Sequence, residues 1–492
     1  MLKRGSGIVL HVSSLPAEFG VGDFGSKCLE FLDFLAEAGQ RIWQVLPLTP
    51  TDPSTGNSPY VSSSLFAGNE LLVSPELLAR DGLLDLSQIS YLPHGPVDYQ
   101  TVTDLKRKIL DKAFSNFGEK KELEEFAGQN SYWLEDYALF TVLKRKFGTE
   151  WSRWPKEVRE RNWKVLQSIR LEKQKEIKRV IFGQYIFFKQ WEEIRRRCKE
   201  LGIKILGDIP IYPAYDSCDV WAHPELFKLD ERLLPTHISG VPPDYFSPTG
   251  QLWGTPVYRW SEHEKDGFAW WLSRVEHALK LFDLVRIDHF RGLVAYWEVE
   301  AGQTTAINGR WVPAPAEKLL SRVKQKFPEM PFVAEDLGVI TSDVVEVIKK
   351  FNLPGMRVLI FGFGDDFPES IHLPHRFDEH CLAYTGTHDT NTVRGWFENE
   401  ANPQVRSRVF HYLRKEVKSD ELPFEFIKLV MFSRALVSMI PAQDLLGLGS
   451  EARMNVPGTA SGNWRWRLLP GQLTRELAKK LRELTESAGR TG

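Results

Sequence analysis

The sequence predicts an α/β protein of the TIM-barrel class, a (β/α)₈ barrel with a large, mainly helical insertion between strands 2 and 3. Three observations predict it. Eight short apolar runs, several rich in β-branched residues, end in polar or acidic residues. Helical patterns lie between several of them, and one gap in the series is far too long for a loop. In order the runs are 7–12 (GIVLHV), 41–48 (RIWQVLPL), 203–210 (IKILGDIP), 282–288 (FDLVRID), 331–336 (PFVAED), 355–363 (GMRVLIFGF), 381–389 (CLAYTGTHD) and 435–444 (ALVSMIPAQD). Repeated strand, helix, strand order implies a parallel sheet, and eight such strands imply a closed barrel.

The first helix is expected from Ser26 to Ala38, where Cys28, Phe31, Leu32 and Leu35 recur at the spacing of one buried face, and Gly39 stops it. Another is expected from Thr341 to Lys350, with Thr341 and Ser342 as capping candidates and the Leu353-Pro354-Gly355 turn beyond its end. The long gap, 49–202, begins rich in Pro, Ser, Gly and Asn and becomes charged, helical and aromatic from about Asp104 to Lys199. It reads as a mostly helical subdomain set into a single barrel that spans 1–492. A smaller stretch, 236–258, has the Gly, Pro and Ser content of an irregular loop near the site.

Composition narrows the function classes. The 492 residues hold 63 basic and 65 acidic side chains, a balance that gives no electrostatic reason to expect nucleic acid. No run of eighteen apolar residues is present, so no spanning helix is expected, and the brief apolar stretch at the start is too short for a signal segment. A soluble, cytoplasmic protein is the expectation. Cys28, Cys198, Cys218 and Cys381 stand far apart, none in a CxxC pair or at metal-ligand spacing, and read as free thiols. Gly447 and Gly449 lack the spacing and lysine of a phosphate loop. No metal or cofactor is expected.

The chemistry is read at strand ends. Side chains alternate along a strand, so Arg286 and Asp288 of VRIDHFRG point the same way; the pair is either a structural ion pair or an oriented, ionised nucleophile. In VAEDLG, Glu335 shares a face with buried Val333, where desolvation raises a carboxyl pKa and suits a general acid, with Asp336 as the rival candidate. Tyr384 to Asn391 gathers hydrogen-bonding groups suited to sugar hydroxyls, or merely a polar turn around His388-Asp389. Two carboxylates flanking a bond, with a third fixing ring hydroxyls, are the minimal machinery for glycoside cleavage.

These segments resemble the α-amylase clan. GDIPIYPAYDSCDVW (207–221), GQLWGTP (250–256), GNSPY with the following FAGN (56–69) and QDLLGLGSEARMNVPGTASGNWRWR (443–467) resemble the amylomaltase branch, glycoside hydrolase family 77, along nearly the whole chain. The resemblance implies a 4-α-glucanotransferase that moves α-1,4-glucan segments among maltooligosaccharides, with glucose as a further acceptor, by retaining double displacement. Asp288 is then the nucleophile, Glu335 the acid/base and Asp389 the transition-state stabiliser. Arg286 and His388 support them, and Asp208, Tyr60, Trp253 and Asn463 bind substrate. The third strand lacks the Asn-His ending typical of most α-amylases, which favours a transferase over a hydrolase on the same scaffold. Tyr245, Phe246 and Trp253 are the expected acceptor-side cover, with an inert surface loop as the alternative. A glucan-binding protein with a dead site is the remaining class, set against an intact carboxylate set.

Overall fold

A computed structural model describes residues 2–243 and 247–491. Among them run twelve strands: β1 (Gly5–Val9), β2 (Ile42–Gln44), β3 (Lys204–Ile209), β4 (His237–Val241), β5 (Gln251–Pro256), β6 (Leu284–Ile287), β7 (Ala295–Glu300), β8 (Gly309–Pro313), β9 (Phe332–Ala334), β10 (Gly355–Val358), β11 (Cys381–Tyr384) and β12 (Val437–Pro441). Eight of these form one parallel sheet in the order β10-β11-β12-β1-β2-β3-β6-β9. They are the eight expected runs, in the expected sequence.

The strands are buried on both faces, as the near-continuous apolar runs require of a parallel sheet enclosed by helices. The sheet's two end strands meet where Ala334 N–H donates to the Pro354 carbonyl at 2.9 Å, so the barrel nearly closes. Around it, the first helix runs Ser26–Glu37 and buries Cys28, Phe31, Leu32, Phe34 and Leu35. Gly39, at φ +71°, then turns the chain into β2. The helix after β9 runs Ser342–Lys350 from Thr341. Thr341 does not cap it through its side chain: the hydroxyl donates to Asp343 and accepts from Arg291.

Between β2 and β3 lie helices that include Tyr99–Phe117, Ser131–Phe147 and the 27-residue Gln174–Glu200. The last of these ties the stretch to the barrel. Trp191 Nε1 donates to Leu281 O at 3.0 Å, and within the insertion Gln184 and Gln190 pair with the backbone of Gly68 and Ser74. The apolar core continues without a break from barrel residues such as Ile8 and Trp43 to Phe182 and Phe187.

The stretch 236–258 differs from its reading as an irregular loop. It carries β4 and β5, which join β7 and β8 in an antiparallel sheet of order β5-β4-β7-β8. Its Gly and Pro residues masked the strands: β4 pairs with β5 inside the stretch and with β7 farther along the chain. Trp297 and Trp311 sit opposite each other there, ring centroids 5.3 Å apart, a cross-strand aromatic pair of the kind that fixes register. No described helix is long and apolar enough to cross a membrane.

Candidate active site

The site begins where alternation along β6 places Arg286 and Asp288 on one side. Arg286 is buried, 4% exposed, and its guanidinium bridges two carboxylates: Nη2 lies 2.9 Å from Asp288 Oδ1 and Nη1 lies 2.5 Å from Asp208 Oδ2 on β3. The register β3 to β6 pairs Asp208 with Arg286 directly, which accounts for the contact. A planar guanidinium with two donor edges suits this bridging role. Burial pushes the Asp208 carboxyl up to about 6, against the pull of Arg286.

Glu335 lies at the end of β9, next to β6. Its main-chain N–H donates to Ile287 O at 3.1 Å, which continues the ladder and sets the carboxyl beside the Asp288 turn. His289 N–H donates to Glu335 Oε2 at 2.7 Å and Leu337 N–H to Oε1 at 3.0 Å. The first of these needs the chain to double back right after Asp288, and His289 adopts φ +47° to do so, a left-handed conformation that non-glycine residues rarely take. Burial pushes Glu335 up to about 8; Arg286 pulls it down, the Asp288 charge pushes it up again, and the two N–H donors pull down more weakly. At neutral pH the carboxyl is therefore largely protonated, the state a general acid needs.

The rival carboxylate, Asp336, belongs to the scaffold. It accepts from Met356 N–H at 2.6 Å and pairs with Arg357 at 2.9 Å, both on β10. A side chain at Gly355 would strike it, with a Cβ only 2.4 Å from Asp336 Oδ2.

From Asp208 a chain of contacts runs to the third acid. Tyr60 Oη donates to Asp208 Oδ2 at 2.8 Å, and the Tyr60 ring stacks on His388, centroids 5.2 Å apart and planes 14° from parallel. His388 Nε2 lies 3.4 Å from Asp389 Oδ2. Asp288, Arg286, Asp208, Tyr60, His388 and Asp389 thus form one connected series. Burial, with the negative charge of Asp208 next, holds the Tyr60 hydroxyl well above the ordinary phenol value, so it remains a donor. Asp389 itself is open, its side chain 45% exposed, and accepts from Asn455 Nδ2 at 2.7 Å.

Trp253, on β5, stands edge-on to His289 at 4.7 Å between centroids, so the second sheet reaches the turn that follows Asp288. Tyr245 and Phe246 lie outside the described residues. Asn463 holds its own loop: Nδ2 donates to Thr459 O and Oγ1, each at 3.0 Å, and Oδ1 accepts from Val456 N–H at 3.0 Å. Sequence reasoning missed Asn455, Arg453 and Trp464, whose ring lies 5.9 Å from Tyr60 and 6.0 Å from His388. All three fall inside the segment 443–467, but nothing in their spacing says which side chains turn toward the barrel mouth.

Comparison with known proteins agrees in family and in fold. The profile of glycoside hydrolase family 77, described as 4-alpha-glucanotransferase, matches residues 10–473. A 4-alpha-glucanotransferase of Aquifex aeolicus is 50% identical over 465 residues, covering 94% of this chain and 95% of the relative. One from Thermus thermophilus is 47% identical over 505 residues, covering 99% of each. Among solved structures, an amylomaltase from Streptococcus agalactiae in complex with acarbose superposes with a TM-score of 0.94 at 37% identity, over 99% of this chain and 100% of that one.

Proposed function

This chain belongs to the 4-alpha-glucanotransferase family, glycoside hydrolase family 77, and we propose that its reaction is carried by Asp288, Glu335 and Asp389. The enzyme transfers a segment of an α-1,4-glucan to another glucan by retaining double displacement. Maltooligosaccharides are its donors, and a second chain or glucose is its acceptor. The observation that carries the residue assignment is the different surroundings of two carboxyls at the ends of adjacent strands: Glu335 is buried and raised to about 8, and Asp288 is paired with Arg286 at 2.9 Å.

In the first step Glu335 gives its proton to the departing glycosidic oxygen while Asp288 attacks the anomeric carbon, leaving a glucosyl ester on Asp288. The departing chain leaves with a new hydroxyl. In the second step the ionised Glu335 takes the proton from the acceptor 4-hydroxyl, which displaces Asp288 and restores both groups. Arg286 orients the nucleophile and balances charge shared with Asp208. Asp389 and His388 hold the ring hydroxyls of the sugar undergoing substitution, with Asp208 and Tyr60 closing its other side.

We assign the single barrel as the catalytic unit, 49–202 as its inserted subdomain, and 236–258 as the acceptor-side cover. Support comes from Tyr60, which the start of the insertion delivers to Asp208, and from Trp253, which β5 delivers to His289. The aromatic face of Trp253 suits a sugar ring. Asn463 acts by shaping its loop. A cytoplasmic setting, where thiols stay reduced, fits the four free and buried cysteines.

The test is incubation with maltotriose and separation of products by length, beside Asp288→Asn and Glu335→Gln. Wild-type protein yields glucose and chains longer than the donor, and either substitution abolishes both. Chain redistribution that survives in Asp288→Asn or Glu335→Gln would remove that residue from its role.

A further inference from the structure

Asp389 has no strand to hold it. It stands five residues beyond the end of β11, and a cavity of about 30 Å³ lined in part by His11, Thr387, His388, Asp444 and Arg453 adjoins the loop that bears it. Its carboxylate is placed by hydrogen bonds. The side chain accepts from Asn455 Nδ2 at 2.7 Å, and Asn455 itself sits in a second loop, after β12.

One guanidinium holds both ends of that bond. Arg453 Nη2 donates to the main-chain carbonyl of Asp389 at 3.2 Å and Nε donates to the main-chain carbonyl of Asn455 at 2.8 Å. The third edge, Nη1, pairs with Glu400 Oε1 at 2.9 Å. Glu400 follows the helix Val393–Asn399 and accepts at the same oxygen from Asn391 Nδ2, two residues after Asp389. Asn391 also donates to Ser450 Oγ at 2.9 Å, which binds the second loop again. The two loops are thus laced together through Arg453, with Glu400 as the anchor of its charge.

We propose that Arg453 is the positioning residue for Asp389: by holding the backbone carbonyls of Asp389 and Asn455 at once, it sets the separation at which Asn455 orients the Asp389 carboxylate toward the sugar. The inference rests on Asp389 being the transition-state stabiliser. A rigid fork with donors on three edges can meet three acceptors in fixed directions, whereas a lysine ammonium is a single point on a flexible stem. The Arg453→Lys variant keeps the charge and loses the lacing.

The experiment is a double-mutant cycle on maltotriose disproportionation, with kcat and KM measured for Arg453→Lys, Asn455→Ala, the double variant, and Asp389→Asn as reference. Misplacing a reacting-site group by an ångström lowers rates by up to 100-fold, so Arg453→Lys is expected to lose kcat by roughly 30-fold with KM within about 3-fold of wild type. If the two residues act on one carboxylate, the double variant falls no more than about 3-fold below the slower single one. Multiplying losses, or a KM effect with kcat preserved, would overturn the proposal. Asp389→Asn separates the two levels of the argument: near wild-type kcat in that variant removes the stabiliser assignment itself. A collapse there with an active Arg453→Lys removes only the positioning role. Should Arg453→Lys fail to fold, Glu400→Gln, which leaves Arg453 in place without its counter-charge, carries the test, with a kcat loss of roughly 5-fold at unchanged KM expected and an unchanged kcat contradicting.

Discussion

The two sides of the proposed active site are built by different means. Asp208, Asp288 and Glu335 sit at or just beyond the ends of adjacent strands β3, β6 and β9, and Arg286 bridges the first two. Asp389 sits in a loop across the mouth, half exposed, held by Asn455 and Arg453 from another loop. The strand side is buried charge whose geometry follows from sheet register. The loop side is a carboxylate whose geometry follows from side-chain lacing. Catalysis and stability should therefore be coupled on the strand side and separable on the loop side.

The largest effects test the strand side. Asp288→Asn removes the proposed nucleophile and should lower kcat by roughly 10⁴-fold or more in initial-rate assays. Glu335→Gln should be comparably slow on maltotriose, yet form the glycosyl intermediate readily from a maltosyl fluoride, whose leaving group needs no proton. An equal loss on both donors would sink the general-acid role.

Next in size is Arg286→Met. It leaves Asp208, whose side chain is fully buried, without its cation, and breaking such a pair costs about 3–5 kcal/mol. Denaturant midpoints and kcat should both drop. On the loop side, Asp389→Asn should lose activity with Tm within about 2 °C of wild type. A large stability loss in Asp389→Asn, or none in Arg286→Met, would erase the contrast between the two sides.

A smaller effect concerns pH. Because Glu335 is raised to about 8, activity that depends on its protonated form should fall as pH rises through about 8. The same shift acts on stability. Between the ordinary carboxyl value and about 8 the folded protein holds a proton that the unfolded chain has released, so stability declines across that window as pH rises. Glu335→Gln removes this dependence, and should melt higher than wild type at pH 8 while differing least near pH 4. The smallest effect expected is that of Tyr60→Phe, which deletes one donor to Asp208 but keeps the stack on His388, for a kcat loss of roughly 10-fold.

The same contrast explains what the sequence made legible. Apolar runs locate all eight barrel strands because burial on both faces leaves a composition signal, and period-two alternation then puts Arg286 with Asp288 and Val333 with Glu335. No such rule governs a loop. Asn455 and Arg453 act across to Asp389 from more than sixty residues away, and their contacts depend on how two irregular segments pack. The antiparallel sheet β5-β4-β7-β8 escaped for a related reason, since β4 reaches outside the Gly- and Pro-rich stretch to pair with β7, and β7 and β8 lie in a region with no barrel pattern. Asn463 shows the reverse. It lies in a segment read as substrate-binding, and its three hydrogen bonds stay within the loop.

The central claim is that Asp288 becomes covalently glycosylated while Glu335 moves the proton. The most direct measurement is to incubate the Glu335→Gln variant with maltosyl fluoride, digest the protein, and locate the added mass by peptide mass spectrometry. One maltosyl adduct on the peptide that contains Asp288, lost in the Asp288→Asn, Glu335→Gln double variant, is the predicted result. An adduct on the peptide of Asp208 or Asp389, or fluoride release with no adduct at all, would contradict it.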